Sequence, residues 1–284
     1  MNDIEPNEYM RLKAVLITGI AIALASFSIA QSPRRSVTEE SIKADMLLHV
    51  CKNGDRSEAV KTLFRKRGAT DAEISVEKFD SVENLVISKK GKTEETIVLG
   101  AHYDKVLDGC GAIDNWTGIV ILANLFATFR NVPTDKTIVF VAFGKEESGL
   151  VGARAMAKSI PKERRLQYCS MINFDSFGFG YPQVLSNASN SKMTAFAREL
   201  AQEVKMPFSE ASLAGTADAD SSAFLAKEIP AITFDGLSNR WREYLHTSRD
   251  KLENVNMQSV LVGYNFAELY LARVDAKSCS AFRK

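Results

Sequence analysis

His102 closes the apolar run "TIVLGAH". Asp104 follows it by two residues, and Asp114 stands further on in the Gly-rich turn "GAIDNWTG". The chain has only three histidines, so one set between an apolar run and two aspartates invites a chemical reading. Taken alone, the stretch also reads as turn residues that cap a helix. The remainder of the chain supplies further candidates. Glu146 and Glu147 follow a second apolar run, Asp175 ends a third, and His246 lies in "YLHTSRD". Imidazole and carboxylate ligands together suit zinc or a similar divalent ion. If one carboxylate bridges, His102, His246 and three carboxylates give each of two ions three protein ligands and leave a position open for a shared water. Asp114, in its pliable turn, is suited to the bridge, and Gly111 lets the backbone enter that turn tightly.

Glu146 and Glu147 need separate tasks, because adjacent side chains point in different directions. One can bind metal while the other faces the open position as a general base. Asp104 is two residues beyond His102 and shares its face on an extended strand end. It can accept the His102 ring N–H and so fix the tautomer.

These residues need a frame. "TIVLGAH", "TIVFVAFG", "CSMINFD" and "IPAITFD" are near-continuous β-branched and apolar runs, the pattern of strands covered on both faces. "EISVEKF" and "ENLVISKK" are two shorter β-like runs. Helical periodicity follows Thr38 (a candidate N-cap, with Ile42, Met46, Leu47 and Val50 inward). It recurs in "SEAVKTLFRKRGA", capped by Ser57 and stopped at Gly68, and from Trp116 to Phe129. "SKMTAFARELAQEV" and "NMQSVLVGYNFAELYLARV" are further helices. Strands alternating with helices define an α/β fold, with a mixed, largely parallel central sheet sandwiched between helices. In such sheets ligands bind outside the carboxyl ends of the strands. His102, the Glu146–Glu147 pair and Asp175 all fall there. Core packing does not require acids and a histidine at strand ends.

The amino-terminal segment has another purpose. Arg11 and Lys13 precede the apolar run Ala14–Ala30, and Ser28 and Ala30 are small residues before Gln31. This reads as a secretory signal over residues 1–30, or, left uncleaved, as a membrane anchor. A start at Met10 would give a tidier signal. Residues 31–37 read as a polar lead-in and residues 38–284 as a single domain. The expected location is exported, periplasmic or extracellular, with membrane attachment only through an uncleaved amino-terminal segment. The four cysteines, Cys51, Cys110, Cys169 and Cys279, allow three full disulfide pairings, and the sequence does not choose among them. A net charge of +1 gives no reason to expect a nucleic-acid partner. His49 reads as a structural histidine, and Asp218 and Asp220 as one cap and one pocket residue.

"GAHYD", "GAIDNWTG", "GKEESGLVGA", "NFDSFG" and "HTSRD", in this order and spacing, closely resemble the motifs of the di-zinc aminopeptidases of metallopeptidase family M28. That family includes bacterial leucyl aminopeptidase and glutamate carboxypeptidase, with glutaminyl cyclase as a relative. The resemblance covers roughly residues 85–275. It implies a sheet of about eight strands between helices, and two zinc ions per chain. His102 and Asp175 would hold one ion, Glu147 and His246 the other, and Asp114 would bridge them. Glu146 would be the general base and Asp104 would orient His102. The implied reaction is hydrolysis of N-terminal residues from peptides with free N-termini, through a hydroxide shared by the ions. Where many members carry Ser-Asp-His, this chain has Ala219-Asp220-Ser221 in a loop that shapes the substrate pocket. Asp220 is therefore the expected substrate contact, and side-chain preference stays open. Three rival readings share the motifs: a glutaminyl-peptide cyclase, an aminoacylase or carboxypeptidase, and a non-catalytic binding domain on the same fold.

Overall fold

A computed structural model describes residues 37–283. The signal or anchor expected over 1–30, and all but the last residue of the 31–37 lead-in, lie outside the described residues. The described residues pack as one unit.

Eight strands form one sheet in the order β1-β2-β4-β3-β5-β8-β6-β7. They are β1 (Ser75–Phe79), β2 (Val82–Lys89), β3 (Thr96–His102), β4 (Thr137–Phe143), β5 (Tyr168–Phe174), β6 (Gln183–Leu185), β7 (Ser209–Ala211) and β8 (Ala231–Asp235). The central four, β4-β3-β5-β8, run parallel. The antiparallel pairings β1/β2, β2/β4 and β6/β8 lie toward the edges. Every residue of β3 is buried, which is why its sequence lacks polar alternation.

Side chains alternate between two apolar layers. Ile97, Leu99 and Ala101 of β3 join Ile138, Phe140 and Ala142 of β4 in the larger core. Val98, Val141 and Phe143 point to the opposite face, with Met156 and Phe224. The larger layer is covered by α1 (Glu39–Met46), α2 (Asn53–Lys66), α3 (Thr117–Phe129), α5 (Ser191–Glu203) and α7 (Met257–Asp275). The smaller is covered by α4 (Val151–Ser159) and α6 (Ser221–Leu225). Twelve of the thirteen α3 residues are buried. The segment Ala112–Phe129 is long and apolar enough to cross a membrane, but it is 94% buried inside the fold and is the core helix of the domain.

Several sequence expectations need correction. Thr38 does cap α1, through a reciprocal bond with Ser41, but the helix ends at Met46 and Leu47 is exposed. Helix α2 begins at Asn53, so Ser57 lies inside it and is not its cap. Asn53 exchanges side-chain hydrogen bonds with the backbone of Lys105 instead, donating to its carbonyl at 2.7 Å and accepting its N–H at 2.9 Å. That tertiary contact sets where the helix starts. The short strands β6 and β7 have too few residues to show a period.

The disulfides are Cys51–Cys110 and Cys169–Cys279. The first ties the segment between α1 and α2 to the turn that carries Asp114. The second fastens the chain beyond α7 to the start of β5.

Candidate metal centre

Five side chains predicted as metal ligands converge at the carboxyl ends of the central strands. Nε2 of His102 lies 3.1 Å from Oδ1 of Asp114 and 3.5 Å from Oδ1 of Asp175. Nε2 of His246 lies 3.2 Å from Oδ2 of Asp114 and 3.1 Å from Oε2 of Glu147. Asp114 thus presents one oxygen to His102, which also faces Asp175, and the other to His246, which also faces Glu147. Glu146 stands behind this row, with its Oε2 3.9 Å from His102 Nε2.

The backbone that positions these groups departs from regular geometry at the site. Gly111 enters the Asp114 turn at φ +60°, a conformation open to glycine at little cost. The Asp114–Asn115 peptide is cis. Lys145, Ser176 and His246, each a ligand or next to a site residue, also have positive φ. Positive-φ residues other than glycine persist where surrounding contacts over-determine them. Asn115 supplies some of those contacts. Fully buried, it donates to the Phe174 carbonyl at 2.8 Å and accepts from the N–H groups of Gly118 and Ser176. It joins the Asp114 turn to the end of β5, where Asp175 begins. A side chain at Gly118 would strike the Phe174 carbonyl, so α3 approaches β5 only with glycine there.

Asp104 differs from its expected part. Nδ1 of His102 lies 3.2 Å from the Asp104 backbone carbonyl, while the carboxylate is further away, at 3.6 Å. A carbonyl only accepts, so Nδ1 carries the proton and Nε2 is left as the ligand atom. The Asp104 carboxylate instead accepts the backbone N–H of Glu146 at 2.9 Å and of Glu147 at 3.2 Å. One residue therefore orients both a histidine and the glutamate pair.

Asp220, expected to touch substrate, is fully buried and does not line the cleft. Both its carboxylate oxygens lack hydrogen-bond partners. Asp218 lines the cleft, and its Oδ1 caps the local turn by accepting from Ala219 N and Ser222 Oγ. His49 donates from Nδ1 to the Met46 carbonyl, 3.0 Å away.

Two further residues, Asp250 of "HTSRD" and Arg56, to which sequence analysis assigned no role, carry the Asp114 turn. Asp250 accepts from the N–H of Ile113 at 2.6 Å and of Asp114 at 3.3 Å. Arg56, fully buried, donates to the carbonyls of Tyr103, Val50, Cys110 and Gly111. Burial pulls the Arg56 pKa down to about 10, against the pull of Asp250, Asp104, Asp114 and Glu147. It remains a cation at neutral pH, placed beneath an anionic centre.

Buried acids and imidazoles crowd together here and shift one another. Burial and the neighbouring Asp220, Asp175 and Asp114 hold Glu146 well above the usual carboxyl range, with His102 opposing. Burial alone would lower His102, but Glu146 and Asp175 outweigh it and raise it well above an ordinary imidazole. Hydrogen bonds donated to the carboxylates of Asp114 and Glu147 push His246 up to about 10. Oε1 of Glu147 is buried with no partner. Ligand atoms of His102, Asp114 and Glu147 lie within 4.8 Å of one another. Convergent imidazole nitrogens and carboxylates, one oxygen orphaned, fit a divalent cation of the zinc type.

The cleft beside the cluster has a volume of about 280 Å³. Leu185, Leu213, Leu237, Trp241 and Leu245 form apolar walls, and Asp235 reaches it from the end of β8. Burial pushes the Asp235 carboxyl up to about 7.

An α/β sheet bearing a two-sided cluster of imidazoles and carboxylates at its carboxyl edge defines a metallohydrolase type of site. The signature of peptidase family M28 matches residues 84–267, and the chain belongs to that family. It is 26% identical over 189 residues to aminopeptidase YwaD of Bacillus subtilis, covering 62% of this chain and 41% of that protein. It is 25% identical over 230 residues to a probable leucine aminopeptidase of Trichophyton verrucosum, covering 72% and 61%. The chain thus spans less than two thirds of the length of these curated relatives. Among solved structures, the Legionella pneumophila LapA aminopeptidase superposes with a TM-score of 0.70 at 19% identity, covering 85% of this chain and 73% of that one. An Acidobacteriales bacterium glutaminyl cyclase gives 0.68 at 16% identity, covering 87% and 97%. Both share the fold.

Proposed function

We propose that this chain is an exported zinc aminopeptidase that removes N-terminal residues from peptides, using two ions held by the five convergent ligands. The observation that carries the reading is the pair of contacts from Asp114, one oxygen toward His102 and the other toward His246, each histidine also facing a further carboxylate, Asp175 or Glu147. The aminopeptidase names of several relatives support the reaction class.

His102, Asp175 and one oxygen of Asp114 would hold one zinc; His246, Glu147 and the other oxygen would hold the second. Bound there, zinc supplies Lewis acidity toward the peptide carbonyl and acidifies water. Glu146 takes the proton from the attacking water and returns it to the leaving amine. Asp104 keeps His102 in the ligating tautomer and fixes the backbone of Glu146 and Glu147. The leucine-walled cleft receives the side chain of the first residue.

The test uses the zinc-loaded chain on short peptides with free N-termini and on the same peptides N-acetylated. Cleavage of the free set alone, abolished by a chelator, is the expected result. Cleavage of both sets would turn the reading toward an endo- or carboxypeptidase. A second reading, glutaminyl-peptide cyclase, draws on the near-complete coverage of the cyclase fold by a chain of this size. It would show as ammonia released from N-terminal glutamine without cleavage. Metal content of the purified chain counts the ions.

A further inference from the structure

We propose that Asp235 makes the cleft selective for peptides whose first residue is lysine or arginine, its carboxylate pairing with the side-chain cation. This inference rests on the peptidase reading and names the substrate class of that same site.

The position of Asp235 follows from strand register. β5 and β8 run parallel with Phe174 opposite Phe234, and the Asp175 N–H bonds to the Phe234 carbonyl. Asp235 therefore occupies on β8 the place that Asp175 occupies just past β5. Adjacent strands lie about 4.8 Å apart. The carboxyl edge of the sheet thus carries His102, Asp175 and Asp235 in a row, and the third group sits one strand beyond the metal cluster. Asp235 lines the same cleft as His102, Glu146 and His246.

Its side chain is held in place. Oδ1 accepts from Gln183 Nε2 at 2.5 Å and from Leu237 N at 3.0 Å. Among the described residues no protein donor reaches Oδ2, and no Lys, Arg or His pairs with Asp235. Oδ2 is not among the enclosed, partnerless atoms, so it opens to the cleft, while the residue as a whole is only 4% exposed. A buried carboxylate without a cation is costly, and a cleft that selected only apolar side chains would be better served by an apolar residue there.

The walls complete the argument. Leu185, Leu213, Leu237, Trp241 and Leu245 line the route past Asp235. Lysine and arginine side chains are apolar stems with a charged tip. A stem against leucine and tryptophan, with its tip on an oriented carboxylate, matches this combination better than an aliphatic side chain, which would leave Asp235 unpaired. The free α-ammonium of any first residue is the other source of a cation, and the test separates the two.

The experiment compares kcat/KM for dipeptide amides beginning with Lys, Arg, norleucine and Leu in wild type, Asp235→Asn and Asp235→Leu, all zinc-loaded. In parallel, calorimetry measures binding of lysinamide and norleucinamide to zinc-loaded Glu146→Gln, with and without Asp235→Asn. Wild type is expected to favour Lys and Arg over norleucine. Both Asp235 variants should lower that ratio about 10- to 100-fold, and lysinamide should lose its binding advantage in Asp235→Asn. A wild-type ratio at or below one overturns the inference. An equal loss for all first residues also overturns it, because Asp235 would then read the α-ammonium. If nothing is cleaved, the peptidase reading fails, and weaker binding of lysinamide than norleucinamide removes this inference as well.

Discussion

Asp250 holds Ile113, and through it the aspartate that faces both halves of the metal cluster. Its carboxylate accepts the Ile113 N–H at 2.6 Å and the Asp114 N–H at 3.3 Å, while its own carbonyl accepts from Cys110 at 2.7 Å. The "HTSRD" segment therefore supplies His246 to the cluster and, four residues later, the group that shapes the turn opposite.

Replacing Asp250 with Ala leaves two buried N–H groups without acceptors, at about 1–3 kcal/mol each. Thermal unfolding of the metal-free chain should show a loss of a few kcal/mol. Zinc affinity, read by competition with a chromophoric chelator, should fall as well. Asp250→Asn keeps one acceptor oxygen and should lie between. Unchanged affinity in the Ala variant would mean that the turn holds its shape without Asp250.

Arg56 governs the same turn from the other side. Its guanidinium satisfies carbonyls on both the His102–Asp104 segment and the Gly111 turn. Arg56→Met removes the charge and orphans those carbonyls, and should cost about 3–5 kcal/mol. Arg56→Lys keeps the charge but cannot reach four carbonyls at once. It should recover part of the stability and little of the zinc affinity. Full recovery of both by lysine would reduce Arg56 to a simple counter-charge.

The two residues show what sequence reading can and cannot reach. Four of the five proposed ligands and Glu146 were legible because each follows an apolar run or sits in a Gly-rich turn, where packing does not call for acids, whereas His246, in "YLHTSRD", was legible only through its motif. The apolar-run signal also marks Asp235, at the end of "IPAITFD". Asp220 resembles a pocket residue through its neighbours, but its side chain is fully buried and does not line the cleft. Arg56 carries no such mark. It lies on a helix among other charged residues, and three of its four carbonyl partners are about fifty residues distant, so only the tertiary fold shows that it is buried. Ser57 was misread as a cap for a related reason, since the contact of Asn53 with Lys105 sets the start of α2. Of the three disulfide pairings left open, the fold selects one because β5 and α7 bring Cys169 and Cys279 together.

Those disulfides should respond differently to reduction. They close loops with sequence separations of 59 and 110, corresponding to roughly 4 and 5 kcal/mol in the chain-entropy account. A Cys169→Ser/Cys279→Ser pair should lower the melting temperature and leave zinc affinity unchanged. A Cys51→Ser/Cys110→Ser pair should lower both, because Cys110 adjoins Gly111 at the entrance to the Asp114 turn. Equal zinc affinity in the two double variants would detach the first disulfide from the site.

The metal cluster itself gives a contrast between two acids. Glu146→Gln keeps the shape of the base and removes its proton chemistry. Metal content should stay at the wild-type value while kcat falls about 10²- to 10⁴-fold. Asp114→Ala removes the group facing both His102 and His246, and should lose both ions. Retention of two ions by that variant, measured by elemental analysis, would sink the bridging assignment.

Asp235 makes stability depend on pH in a direction that can be worked out. Burial raises its folded-state pKa from 3.8 to about 7, with Asp175 adding to the rise and the bonds from Leu237 and Gln183 opposing it. The folded chain therefore holds this proton more tightly than the unfolded chain does. The associated stability is complete below about pH 4 and is lost as pH rises through 7. Asp235→Asn has no such proton to lose. Measured on zinc-loaded protein, the stability of Asp235→Asn relative to wild type should therefore climb between pH 4 and pH 8, by roughly 4 kcal/mol at most. Zinc binding by the cluster also varies with pH, but it does so in both proteins and cancels in the difference. A difference that stays flat across this range would show that Asp235 is ionised throughout, held by water in the cleft. Saturating lysinamide offers an internal control, since a cation on Oδ2 favours the ionised carboxylate and should flatten the wild-type curve toward that of the variant.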